Sequence, residues 1–135
     1  VIRSLRNDKV AGCSANLRKL WGTQQTYRAQ HGKYPIETGG EFWLLLSRTT
    51  SPLIEPASMT YICPLADESP RAGSTSYRGP KEDVNTYLDR HPVGADKPGN
   101  HGAGEGGHVI LKTGVIHTVR EKDEYWKEAE IWTQP

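Results

Sequence analysis

Residues 100–117, NHGAGEGGHVILKTGVIH, set His101, His108 and His117 among glycines. Glycine-rich loops beside histidines suit two kinds of chemistry: phosphate cradling by backbone amides, and metal ligation by imidazole. A phosphate loop is excluded, because no Gly-Lys-Ser/Thr ending is present and the apolar run follows the glycines instead of preceding them. A metal site needs three or four converging ligands, which the three histidines could supply. Side chains alternate faces along a strand, however. His108 and His117 stand five before and three after the Thr113-Gly114 turn signal, so they are not obvious cross-strand partners. The stretch therefore reads as a glycine-rich lead-in to a hairpin, with no metal assigned to it.

Asp83, Asp89, Asp96 and Glu105 offer carboxylates, but they are spread out without EF-hand spacing, and a solvated loop is the simpler reading. Nucleophilic chemistry lacks its signatures: there is no Gly-x-Ser-x-Gly elbow, and neither cysteine has a histidine nearby in sequence. No catalytic residue is assigned and no enzyme is expected. Cys13 and Cys63 fit one disulfide in an oxidising compartment or two thiols in a reducing one. Neither sits in a Cys-x-x-Cys pair, which argues against a zinc ribbon or a thioredoxin-type site. A bridge would close a loop of about 50 residues, stabilising by roughly 4 kcal/mol on chain-entropy grounds.

What must position these residues follows from periodicity. Ile2, Leu5, Cys13, Leu17, Leu20, Gln24 and Tyr27 recur at helical steps and form one apolar stripe. The first proline is Pro35, and His31-Gly32 supplies a C-terminal stop. A helix over residues 1–31 would be about 45 Å long. That is too long for the rest of the chain to cover, so its front, with Arg3, Arg6, Asp8 and Lys9, is expected to project. Thr38-Gly39-Gly40-Glu41 reads as a capping box ahead of the apolar run Phe42-Trp43-Leu44-Leu45-Leu46. MTYICP reads as a short strand carrying Cys63 inward, and STSYRGP and VNTYL as strand-like islands in a turn-rich region. GHVILK and VIHTVR make a hairpin. EKDEYWKEAEIW makes a terminal helix, with Tyr125, Ala129 and Trp132 at helical spacing. Trp43 and Trp132 fit core positions, while Trp21, beside the main stripe, faces either core or a neighbouring subunit.

The chain has 135 residues, 35% of them apolar, with 14 glycines and 9 prolines. It is expected to form one α+β domain with a modest core: a long N-terminal helix packed against a small antiparallel sheet, with short accessory helices. Within it, residues 1–31 are helix, 32–100 a short helix and an irregular region, and 101–135 a hairpin and terminal helix. The net charge of +1 comes from 17 basic and 16 acidic side chains that are interspersed, so no nucleic-acid partner is expected. The longest apolar run, residues 42–46, is far too short to cross a membrane.

CSANLRKLWGTQQTYRAQHGKYP, residues 13–35, resembles the helix of pilin-like proteins, the type IV pilins and the type II secretion pseudopilins. The matching features are Asn16-Leu17, Tyr27 and the Gly32-Lys33-Tyr34-Pro35 ending. It is most similar to a planctomycete-type subgroup in which Cys-x-x-Asn-Leu is followed by a Cys-Pro segment, here Ile62-Cys63-Pro64. That subgroup ends in a histidine, an apolar strand, an Asp-Gly turn and a second strand, which Asn100-His101-Gly102 and the following hairpin resemble. The chain departs in that eleven residues separate His101 from Thr113, more than in the family, and Thr113 stands for the aspartate. Residues 65–97 match no motif.

The resemblance implies the globular head of a filament subunit, either pilus or secretion pseudopilus. It implies a hydrophobic half-helix ahead of Val1 that anchors the full-length form in the inner membrane before assembly. The implied partners are other pilin or pseudopilin subunits and the inner-membrane assembly machinery, and the implied location is the bacterial envelope, periplasmic or extracellular. Arg3, Arg6, Asp8, Lys9 and Trp21 are the subunit-contact candidates. Pseudopilins often bind calcium in a C-terminal loop, so the resemblance leaves calcium open as a cofactor, with Asp83, Asp89, Asp96 and Glu105 as the oxygen ligands available. The alternative is a secreted module recognising a polymer or protein through loop 70–98. A small metal-dependent enzyme is the third.

Overall fold

The computed structural model of the chain describes residues 2–66, 68–102 and 104–135, with side chains from residue 7 within the first helix. Helix α1 runs Ile2–His31. Cys13, Leu17, Leu20, Trp21 and Gln24 form its buried stripe, while Asn7, Asp8, Lys9 and Ala11 are exposed. It stops because Gly32 takes a left-handed φ of 83° and its amide bonds Arg28 O at 2.7 Å, closing the last turn. A Cβ at Gly32 would meet no other atom, so Gly32→Ala isolates conformational strain. It should lower stability by about 1 kcal/mol, read as a shift in urea midpoint at constant slope.

Helix α2, Glu41–Leu44, continues into a 3-10 turn at Leu45–Ser47 and buries Phe42, Trp43, Leu44, Leu45 and Leu46 against α1 and the sheet. The capping box does not form. Gly40 is the cap residue and no side chain caps the helix, since this short element is held by burial of its apolar run.

Five antiparallel strands make one sheet in the order β4-β3-β2-β1-β5. They are β1 Tyr77–Pro80, β2 Pro92–Asp96, β3 Gly107–Leu111, β4 Ile116–Val119 and β5 Thr133–Gln134. The expected hairpin is β3 and β4, with His108 opposite Thr118 and Val109 opposite His117. The strand-like island STSYRGP supplies β1, and the sheet is larger than expected because β2 comes from the region read as irregular. β2, PVGAD, carries a proline and a glycine that disguise it. Pro92 starts the strand and the register shifts between Pro92 and Gly94. That bulge places Val93 with the core on the α1 side, while Ala95 joins a second core with Val109, Leu111, Val119, Trp126 and Ala129. MTYICP and VNTYL are not strands. Met59–Tyr61 and Val84–Thr86 are 3-10 turns, capped by the Ser58 and Asp83 side chains respectively.

Helix α3, Glu124–Trp132, covers the face of the sheet opposite α1. Its buried residues are Ala129, as expected, and Trp126 in place of Tyr125. The Trp126 ring lies under the Arg78 guanidinium at 4.6 Å, a contact between segments far apart in sequence. Tyr125 is left outside, and Trp132 is half-buried against Tyr87 and His91. The central strands are therefore covered on both faces, which is why every residue of β1, β2 and β3 is buried.

Candidate functional site

Sheet register builds the site. Ala95 pairs with Val109 across β2 and β3, so the next residues, Asp96 and His108, are neighbours on the opposite face, the one that α1 covers. β1 brings Tyr77 opposite Asp96. On α1, Cys13 lies on the buried stripe and points at this strand end. Its thiol donates to Asp96 Oδ1 at 2.8 Å. Cys63 follows the 3-10 turn at Met59–Tyr61. It is brought in beside α1 because the Asn16 amide donates to Ile62 O at 3.0 Å and to the Tyr77 hydroxyl at 3.1 Å. His101 enters from the glycine-rich loop after β2. Its Nε2 is 3.1 Å from Asp96 Oδ2, 3.4 Å from Cys13 Sγ and 3.5 Å from Cys63 Sγ.

Cys13, Cys63, Asp96 and His101 are all buried, and one ligand atom from each lies within 4.8 Å of the others. His108 completes the surroundings. Its amide donates to Asp96 Oδ2 at 2.7 Å, and its Nδ1 lies 3.2 Å from the same oxygen. Gly107 permits this approach: with φ at 153°, a Cβ there would stand 2.5 Å from Asp96 Oδ2.

The protons follow from these contacts. Burial opposes ionisation of Asp96, but bonds with His101 and His108 outweigh it and hold the carboxyl well below the usual range. Burial likewise opposes charge on His101, yet its contacts with Asp96 and Cys63 push it up to about 9. Cys63 is lowered to about 6, first by the neighbouring Cys13 and then, against the opposing effect of burial, by His101. Cys13 is driven far upward by its neighbour Cys63, by burial and by the Asp96 charge. The cluster thus holds a carboxylate, an imidazolium, one thiol and one sulfur inclined to ionise. All four of these side chains are at most 6% exposed.

The sequence expectations fare unevenly here. The stretch at 100–117 does more than turn the chain, since His101 and His108 both meet Asp96. His117 does not; it stacks on Tyr125 at 3.9 Å. The two cysteines are drawn together, as a pairing requires, and stand as free thiols. The calcium candidates do not gather: Asp83 caps a 3-10 turn, Asp89 and Glu105 are exposed, and Asp96 belongs to the Cys-His cluster. Trp21 is not a surface contact. It is 6% exposed and stacks on Tyr34 at 5.0 Å. Asp8 and Lys9 are exposed, whereas the side chains of Arg3 and Arg6 lie outside the described residues. Segment 70–98 supplies β1 and β2, with the largely exposed residues 81–91 connecting them. The ligand set itself escaped the sequence reading. Its members are separated by up to 88 residues, and only Asp96 and His101, five apart, are close in sequence.

No protein-family model, no curated protein and no solved structure matches the chain significantly.

Proposed function

We infer that the chain is the head of a pilin-like filament subunit, a structural part instead of a catalyst. The observation that supports this reading is the division of α1. From Cys13 to Gln24 the helix carries a buried stripe beneath the sheet, while residues 7–9 and 11 remain uncovered on the same continuous rod. A monomer gains nothing from extending an amphipathic helix past its own core, because an unpacked helical segment is marginal in water. A subunit whose helices bundle gains an assembly surface. Among the described residues no helix is long and apolar enough to cross a membrane. Membrane anchoring in this reading rests on an apolar segment ahead of Val1.

The test is the gene and its product. The coding sequence upstream of Val1 should specify about 20 apolar residues behind a short basic leader. The full-length product, expressed with a prepilin peptidase and assembly ATPase, should appear in filaments sheared from cells. An ordinary cleavable secretion signal, with the product found only as a free secreted monomer, overturns the reading in favour of a secreted binding module.

A further inference from the structure

We propose that Cys13, Cys63, Asp96 and His101 form a structural zinc site that ties α1 to the sheet. The argument begins with geometry. Zinc takes sulfur at about 2.3 Å and histidine nitrogen or carboxylate oxygen at about 2.0–2.2 Å, so a tetrahedral site has edges of roughly 3.5 Å between sulfur and nitrogen and 3.3 Å between nitrogen and oxygen. His101 Nε2 already stands 3.4 Å and 3.5 Å from the two sulfurs and 3.1 Å from Asp96 Oδ2. The three edges that meet at the nitrogen therefore match such a tetrahedron. The Cys13 Sγ to Oδ1 distance of 2.8 Å is shorter than an edge. It is the spacing of a thiol giving its proton to a carboxylate, the contact that a metal ion replaces as that proton leaves for solvent.

Chemistry selects the ion. Two sulfurs and an imidazole exclude calcium and magnesium, which need oxygen ligands, and the tetrahedral set with sulfur and nitrogen favours zinc. Burial selects the role. All four residues are at most 6% exposed, which leaves no open position for water or substrate, as in closed structural sites. The surroundings are also those of a metal centre. His108 holds Asp96 through both its amide and Nδ1, fixing the carboxylate whose Oδ2 also faces His101. His101 provides the way in, because it lines a surface cleft of about 470 Å³ beside Val10 and Glu105. The four ligands come from α1, the segment after a 3-10 turn, the end of β2 and the loop beyond it. One ion therefore cross-links parts of the chain that no disulfide joins in this structure.

The test uses the whole chain, purified with reductant and stripped of metal. Titration with cobalt(II) should give the intense visible bands of a tetrahedral ion and a near-ultraviolet thiolate-to-cobalt band. Both should saturate at one ion per chain and vanish when zinc is added. Zinc should also protect both thiols from alkylation and raise the melting temperature. Cys63→Ser should abolish the charge-transfer band from that sulfur, and His108→Ala should weaken zinc binding roughly 10–100-fold while keeping the tetrahedral spectrum. His117→Ala, on the far side of the hairpin, should change neither. Weak octahedral absorption only, or no saturation at one equivalent in the folded chain, overturns the proposal. So does recovery of the protein from its native cell envelope with Cys13 and Cys63 bridged to each other. None of these outcomes touches the filament reading, which is judged on assembly.

Discussion

Replacing Trp43 with alanine should lower the stability of the fold by about 3–5 kcal/mol, the range for deleting a buried aromatic side chain. Trp43 is wholly buried, packs edge-on against Phe42 at 4.8 Å and lies over Gly94, where even a Cβ would come within 2.7 Å of its ring. Its indole N–H donates to Arg78 O at 2.9 Å, so truncation also strands a carbonyl on a central strand. Trp43 thus joins α2 to β1 and β2 at once. Single domains are stable by only about 5–15 kcal/mol, so the variant should melt roughly 10–20 °C lower or be recovered unfolded. Met59→Ala is the control. Its side chain is 64% exposed and the change should cost less than about 0.5 kcal/mol. Equal loss in both variants, measured by urea unfolding, would show that the core is not centred where the aromatic residues meet.

Asp96→Ala should be comparably severe, at about 3–5 kcal/mol, the usual result of removing one partner from a buried charged cluster. Asp96 receives the Cys13 thiol, the His108 amide and the His101 imidazole, all three on buried residues. The loss is a loss of partners, not of volume. Asp96→Asn, which keeps the shape and one accepting oxygen, should therefore recover a large part of it. Measurement in the presence of a chelator keeps metal loss out of the comparison. If the alanine and asparagine variants unfold at the same urea concentration, the carboxylate cluster is not what holds this end of the sheet.

Much of the fold was legible because it depends on neighbours in sequence. The stripe from Cys13 to Gln24, the stop at Gly32 and the hairpin turning at Thr113-Gly114 are each specified within a few residues, by periodicity and by glycine's freedom at positive φ. The terminal helix was legible for the same reason, with Asp123 capping it. Its facing was not, since the choice of Trp126 over Tyr125 depends on Arg78, in a strand far earlier in the chain.

β2 and the candidate site mark the limit of local reading. PVGAD has neither alternation nor β-branched enrichment. It becomes a strand because β1 and β3 pair with it on either side and helices bury both its faces. By themselves the residue types set out a long amphipathic rod, a hairpin, two cysteines and a histidine-bearing glycine loop. Tertiary structure alone decided that Cys13, Cys63, Asp96 and His101 share one buried volume. Strand pairing fixes which side chains meet on a sheet face, and helix packing fixes what lies over them. Neither relation is written in the spacing of residues along the chain.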